Sequence, residues 1–456
     1  MNFQKLFSPR SMAILGVSRG NDRHPANVIY NKNRLRYPIK VFPVNPKGGV
    51  LQRREIYSRL TDIPEPIDLA VIAVRAELTP SALEACIASE VGACVVISGG
   101  FAETGRKDLQ DRIAAMAREV DLPLIGPNCL GIYAPGHFDT FFLPTERMVQ
   151  PEEGNVALVS QSGGILVDQM INFAGEGVGL SLAFSIGNKA VINEVDLLAH
   201  LADHAQTEVI AFYVEGFDKN GGRAFVEAAR ACPKPVIVLK SGRSPEGSRA
   251  VSSHTASLAG DYEIFSQALS QYGIVEACTQ FELVSFSESL ACYKTPIKGR
   301  VGIITLSGGH GAMAVDLCKK HGLTVPSLSD DLQEEIRSGL TPSIQTIAAL
   351  SNPVDLTGSV VDDDFVVAAE AMSRSPEIDC ILLLILPYAP GTTSDLGARL
   401  SRIYHREGTP LVAYVPHVEK YRMLIDGFEL NRVPVSPAIE GAVLMAEALR
   451  RYEPSQ

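Results

Sequence analysis

The stretch Val156-Ala157-Leu158-Val159-Ser160-Gln161-Ser162-Gly163-Gly164 decides how the chain is read. Four apolar residues make a short buried strand, and the small polar and glycine residues behind them make a turn. The turn opens onto the helical run Ile165-Leu166-Val167-Asp168-Gln169-Met170. A strand that enters a helix through small residues exposes several backbone N–H groups at the helix N-terminus, a ready site for phosphate. Val301-Gly302-Ile303-Ile304-Thr305-Leu306-Ser307-Gly308-Gly309 repeats the order of strand, Ser-Gly-Gly and helix. Two flavodoxin-like doubly wound sheets are therefore expected, one from near Gly154 and one from near Arg300.

Upstream, short apolar runs alternate with helical stretches, the pattern of a parallel sheet covered on both faces. Met12–Leu15, Lys40–Val44, Leu69–Val74, Ala93–Ser98 and Pro123–Ile125 read as its strands, and each ends in glycine or in small or polar residues. In open α/β sheets those carboxyl ends are where ligands bind. The first turn, Gly16-Val17-Ser18-Arg19-Gly20, lacks the full dinucleotide spacing, and the second strand ends in Asn45 and Lys47 where a nicotinamide site wants an acidic residue. A lysine there suits a ligand with an extra phosphate, such as coenzyme A; a solvated loop lysine is the other reading.

In the second unit the strand Ala211–Val214 ends in Glu215-Gly216, and Val236–Lys240 leads to Ser252-Ser253-His254-Thr255-Ala256-Ser257-Leu258-Ala259-Gly260. One histidine among small and hydroxylated residues is open to bulky, charged groups. It reads either as a nucleophilic imidazole that takes and passes on a phosphoryl group, or as an incidental histidine in a polar loop. Phosphorylation needs a neutral ring, an acceptor behind it and N–H donors for the phosphoryl oxygens. Glu215 and the Ser162-Gly163 turn are the candidates for acceptor and cradle. His200 and His204 stand four apart without a carboxylate between them and are expected on the surface. Asn352-Pro353-Val354-Asp355 reads as a turn.

At 456 residues the chain is long enough for several domains, and 46% hydrophobic content supports real cores. A formal charge of −11 argues against a nucleic-acid partner. No apolar run is long enough for a bilayer, and no secretory signal opens the chain. Eight singly scattered cysteines fit a reducing cytoplasm and form no metal cluster.

Taken in order, Ala13–Ser18, Pro43–Lys47, Asp68–Val74, Ile125–Gly131, Ser160–Gly163, Ser185–Ala190, Tyr213–Gly216, Ser253–Thr255 and Asn352–Gly358 resemble the alpha subunit of the NDP-forming acyl-CoA synthetases. This is the ADP-forming acetate–CoA ligase group, relatives of succinyl-CoA synthetase, and the matching motifs span nearly the whole chain. The resemblance implies an α/β protein: a Rossmann-like coenzyme A-binding domain over 1–145, a ligase domain carrying phosphohistidine over 146–295, and a third flavodoxin-like domain over 300–456. It implies coenzyme A contacts at Gly16, Ser18, Asn45, Lys47, Val74, Gly100, Phe101, Asn128 and Cys129. It also implies phosphate contacts at Ser160, Ser162 and Gly163, a transiently phosphorylated His254, and a Glu215 that stabilises it. A carboxylic acid, coenzyme A and ATP would give acyl-CoA, ADP and phosphate. No ATP-grasp module is legible, so ATP with magnesium is expected on a separate ATP-grasp beta subunit, in an α2β2 assembly. A coenzyme A or acyl-CoA sensor or scaffold that has lost phosphotransfer is the alternative. Ala256 stands where the family has glycine, which restricts the backbone or crowds the phosphate, and Arg75 stands where proline is common.

Overall fold

Each apolar run read as a strand is one in the computed structural model, and glycine or a small or polar residue follows where a turn is needed. The structure describes residues 1, 3–218, 220–254 and 261–454, without the side chains of 252–254. It divides into two compact units, Met1–Glu276 and Ala277–Pro454.

In the first unit Lys40–Val44, Ser11–Leu15, Leu69–Ile72, Ala93–Val96 and Leu124–Ile125 lie side by side in that order, all parallel. The three central strands are buried at every position, as a sheet covered on both faces requires. Numbered along the chain the order is 2-1-3-4-5, so the winding reverses between the first and third strands. Gly16 stands at that reversal with φ +99°, and a Cβ on it would lie 2.5 Å from the Ala73 carbonyl oxygen. Only glycine fits there.

The second sheet winds the same way. Its core strands are Glu153–Ser160, Leu180–Ser185, Val209–Val214 and Val236–Lys240, all parallel, with Val275–Ala277 beyond them. Two antiparallel strands, Gly131–Ala134 and Phe138–Asp139, extend it past Leu180–Ser185. The chain therefore joins the second sheet at Gly131, ahead of the division expected at 145. Helix Gln280–Cys292 likewise belongs to the second unit although it precedes 295; its Ser289 hydroxyl donates to the Met445 carbonyl at 2.8 Å. The second unit holds a third parallel sheet of the same order, Val354–Asp355, Val301–Thr305, Cys380–Leu384, Leu411–Tyr414 and Val435–Ser436. The Asn352 amide braces its first strand, donating to the Val301 and Pro326 carbonyls and accepting from the Ile303 N–H. No helix among the described residues is long and apolar enough to cross a membrane.

The two sheets of the first unit share one apolar cluster that runs from Met12 and Ile14 to Phe184 and Phe212. A polar joint crosses it. Lys32, on helix Pro25–Arg36, reaches Asp139 at 2.7 Å with both side chains almost fully buried. The Lys32 ammonium also donates to the Phe141 carbonyl, and Asn33 exchanges hydrogen bonds with the Asp139 backbone. Burial pushes Lys32 down and Asp139 up, each against the pull of the other. Breaking such a pair leaves an uncompensated buried charge, so Lys32→Met is expected to cost about 3–5 kcal/mol. Adding Asp139→Asn removes that charge and should return part of the loss, read from denaturation midpoints of the two variants.

Candidate active site

The parallel pairing of Ser160 with Tyr213 sets the turn after one strand beside the turn after the other, at the point where the second sheet's winding reverses. Ser162 caps helix Gly163–Gly175, its hydroxyl accepting from the Ile165 N–H. The space in front of Gly164 is open; a Cβ there would meet no atom within 4 Å. The residues Gln161, Ser162, Gly163 and Gly164 line a cleft of about 650 Å³ together with Glu215, Asn128, Cys129, Leu130, Asn188 and Val251. Of the residues singled out in the sequence, the cleft thus gathers Ser162, Gly163, Glu215, Asn128 and Cys129. Ser160 is not on its wall. Its buried hydroxyl donates to the Ser162 carbonyl at 2.7 Å and accepts from the Ser162 N–H, bracing the turn.

Gly16, Ser18, Asn45, Lys47, Val74, Gly100 and Phe101 lie at the carboxyl ends of the first sheet, outside that lining. Asn27 clamps the Ser18 backbone from both sides, and the Asn45 amide donates to the Val17 carbonyl. Lys47 is exposed, with its backbone N–H held by Asn45. The Val74 carbonyl accepts from the Ser98 hydroxyl. The amides of Gly100 and Phe101 both donate to Glu103. Helix Pro245–His254 lines the cleft at Ala250 and Val251. The His254 side chain and residues Thr255 and Ala256 lie outside the described residues.

What brings the two carboxyl edges together is backbone packed on backbone. Gly187 has φ +55°, and a Cβ on it would fall closer than 3.0 Å to the carbonyl oxygens of both Pro127 and Asn128. The Asn188 and Ala190 N–H groups donate to the Pro127 and Gly126 carbonyls, each at 2.9 Å. Glu103 reinforces the junction by accepting from the Asn188 amide at 2.5 Å. Burial alone would raise the Glu103 carboxyl, but the donors from Asn188, Gly100 and Phe101 outweigh it and hold it below its ordinary value. Sequence reasoning missed this residue. The available signal was a carboxylate within reach of a Gly-Gly turn, whose amides it can fill.

Around Glu215 the charges are tightly arranged. Lys240, almost fully buried, donates to the Glu215 backbone carbonyl at 2.7 Å; burial pushes its amine down to about 8 against the opposing pull of Glu215. Burial and the neighbouring Glu215 carboxylate push the Tyr213 phenol up, so it stays protonated. Cys129 is buried, its thiol donating to the Val96 carbonyl, and desolvation raises its pKa far out of the nucleophilic range. It shapes the wall as a neutral group. His200 and His204, expected on the surface, are half-buried: His200 stacks on Phe7 with centroids 4.0 Å apart, and His204 pairs with Thr207. Burial lowers both, which leaves them neutral packing groups.

This pairing of a doubly wound first domain with a second one whose helix N-terminus lines the shared cleft recurs in known proteins. Residues 10–135 match the CoA binding domain model, and residues 153–290 match the succinyl-CoA ligase like flavodoxin domain model. The chain belongs to the ADP-forming acyl-CoA synthetase family, as an alpha-subunit type of chain. It is 33% identical to the alpha subunit of acetate–CoA ligase (ADP-forming) I of Pyrococcus furiosus, over 99% of this chain and 98% of that one. It is 30% identical to the ADP-forming 4-hydroxybutyrate–CoA ligase of Nitrosopumilus maritimus over 99% of this chain, which spans 64% of that longer protein. A solved structure of acetyl-coenzyme A synthetase 1 from Ca. Korarchaeum cryptofilum, in complex with phosphate and ADP, superposes with a TM-score of 0.87 at 28% identity, covering 99% of this chain and 97% of that one.

Gly187→Ala should force the junction apart. It adds a methyl group against two carbonyls at a positive φ, where a β-carbon alone costs about 1 kcal/mol. Thermal unfolding is expected several degrees lower, and coenzyme A affinity measured by calorimetry roughly tenfold weaker. Glu103 makes the junction acid-sensitive. Because its folded pKa is depressed, its contribution is complete above the unfolded carboxylate value, near pH 4.5, and is lost as pH falls through the lower folded value. The protection of the Asn188 and Ala190 amides, their exchange relative to the intrinsic rate at each pH, should therefore fall in acid for the native chain, whereas Glu103→Gln should show the lower protection already at neutral pH.

Proposed function

We propose that this chain couples a carboxylic acid to coenzyme A at the expense of ATP, with His254 as the phosphoryl carrier. The observation that carries this reading is the cleft itself. A helix N-terminus at Ser162–Gly164, Glu215 and the first domain's Asn128–Leu130 turn all line one space. Helix Pro245–His254 enters it at Val251 and ends one turn further on.

In the proposed cycle a neutral nitrogen of the His254 ring attacks the γ-phosphorus of ATP; an N–P bond forms and the P–O bond to ADP breaks. The N–H groups at the start of helix Gly163–Gly175 hold the phosphoryl oxygens, and Glu215 accepts from the other ring nitrogen as the ring becomes positive. The substrate carboxylate then attacks phosphorus, the N–P bond breaks, and acyl phosphate is released from the histidine. Last, the coenzyme A sulfur attacks the acyl carbon; phosphate leaves, and the thiol proton ends on it. Gly16, Ser18, Asn45, Lys47, Val74, Gly100, Phe101, Asn128 and Cys129 are the proposed frame for coenzyme A, with Lys47 free to meet its 3′-phosphate. For Gly100 and Phe101 this requires backbone atoms other than the amides that Glu103 occupies.

ATP and its magnesium are assigned to an ATP-grasp beta subunit in an α2β2 complex, located in the cytoplasm. Two findings support a partner: the Pyrococcus relative is named an alpha subunit, and the longer single-chain Nitrosopumilus relative extends well beyond the part this chain covers. The residues 1–145, 146–295 and 300–456 stand as the proposed functional division. Relatives named for acetate and for 4-hydroxybutyrate leave the acid to be fixed by a substrate panel.

Incubation with the cognate ATP-grasp chain and γ-labelled ATP is expected to leave acid-labile, base-stable label on this chain. His254→Ala should abolish it. Glu215→Ala should slow labelling by roughly 10²–10³, the usual cost of losing one charge-stabilising group in an active site. Coenzyme A binding without any label would instead support a sensor whose phosphotransfer has lapsed.

A further inference from the structure

Behind Glu215 lies a buried polar cluster that the cycle above does not use. Gln161 follows the strand Glu153–Ser160, and only 8% of its surface is exposed. Its Oε1 accepts from two consecutive backbone N–H groups, Glu215 at 2.6 Å and Gly216 at 3.1 Å. Its Nε2 donates to the Gly216 carbonyl at 2.7 Å and to the Glu194 carboxylate. A primary amide has two donor hydrogens and two acceptor lone pairs, and here all four are matched. The amide cannot be reversed, because that would turn its NH2 onto two N–H groups.

The partners of Gln161 are themselves fixed. Lys189 donates to Glu194 at 2.7 Å and to the same Gly216 carbonyl at 2.8 Å. Lys189 and Glu194 are each more than nine-tenths buried. Lys189 holds φ +47°, a left-handed conformation that a residue with a side chain keeps only when its surroundings compensate. Glu194 opens helix Glu194–Asp203, whose N-terminus favours a carboxylate. The result is a rigid amide-and-ion clamp on the 215–216 peptide, the backbone that carries Glu215, itself a residue of the cleft wall. The side chain has other contacts, with Tyr213 among them, but its Cα–Cβ direction is set by this peptide.

We propose that Gln161, locked by Lys189 and Glu194, is the positioning residue for Glu215: it fixes the direction of that carboxylate by saturating the backbone on either side of it. This rests on the reading that Glu215 steadies the phosphorylated ring. A buried neutral amide suits the task better than a charged group, since it presents one acceptor and one donor face without adding charge beside the phosphoryl site.

The test is a double-mutant cycle on the complex reconstituted with the ATP-grasp chain, reading the single-turnover rate of protein labelling from γ-labelled ATP. Gln161→Met keeps the length of the side chain and removes both hydrogen-bonding faces. The expected result is a loss of about 10²-fold in labelling rate, with the coenzyme A dissociation constant within about twofold of the parent. In a Glu215→Ala background the same substitution should change the rate no further, because the group it aims is gone. An equal loss in both backgrounds, or a loss confined to coenzyme A affinity, would overturn the proposal. Gln161→Glu, which keeps the acceptor oxygen for both N–H groups, serves the same cycle if the methionine variant does not fold; it should lose less than Glu215→Ala and again add nothing to it. If Glu215→Ala alone labels at the parental rate, the reading of Glu215 fails, and that result is separate from additivity in the cycle.

Discussion

The site depends first on a contact in which side chains take no part. Gly187 lies against the Pro127 and Asn128 carbonyls, and the next residues hydrogen-bond along the same turn. That contact joins the carboxyl edge of the first sheet to the carboxyl edge of the second. Each edge alone has an open crevice where its winding reverses; together they close one cleft with the Asn128–Leu130 turn on one wall and the start of helix Gly163–Gly175 on the other. Glu103 and the buried Lys32–Asp139 pair hold the same two modules from other directions. The junction, braced by Glu103, and the separate Lys32–Asp139 pair make the relative position of the two modules a property of the fold.

The winding order 2-1-3-4-5 recurs in all three sheets, and it explains where chemistry collects. In each, the first and third strands lie side by side while their helices depart to opposite faces, so the turns behind them border a crevice. Gly16 meets Ala73 at the first reversal. Gln161 meets Glu215 and Gly216 at the second. At the third, Ser307 precedes helix Gly308–Lys320 and pairs with His310. One backbone plan thus supplies edges of different chemistry through changes in a few turn residues.

Much of this was legible in the sequence because strand ends and turns have local signatures. The run Val156–Gly164 announces its strand, its cap and its helix, and the structure has all three. The edge strands Gly131–Ala134 and Phe138–Asp139 were not legible: they are short, antiparallel to their neighbour, and follow a turn whose ligand-like residues drew the reading elsewhere. Glu103 was hidden for a related reason. Gly99-Gly100-Phe101 looks like an open set of donors, and only the folded turn brings a carboxylate back onto them. Ser160, a phosphate contact implied by the family resemblance, spends its buried hydroxyl on the Ser162 backbone, a partnership that only the folded turn reveals. Buried partnerships such as Lys189 with Glu194 join residues five apart through a left-handed kink, which no helical or strand period reveals.

The charges around Glu215 present a physical puzzle that the proposed chemistry resolves. A carboxylate on the wall of a cleft proposed to take a phosphoryl group repels that group when it is free, and a helix N-terminus only partly offsets the repulsion. If a neutral imidazole stands between them, the balance changes at the moment of transfer. Forming the N–P bond makes the ring positive, and the same carboxylate then attracts it while the helix end attracts the phosphoryl oxygens. Glu215 therefore contributes little to binding the reactant and much to the state in which charge has developed, which is the condition for lowering a barrier. That gain survives only if the carboxylate cannot swing toward another cation. Lys240 is a cation that feels the Glu215 charge, and its ammonium is already engaged by the Glu215 and Ser241 backbone carbonyls. With the amine occupied there, Gln161 holds the 215–216 peptide and with it the direction in which the Glu215 side chain leaves the backbone.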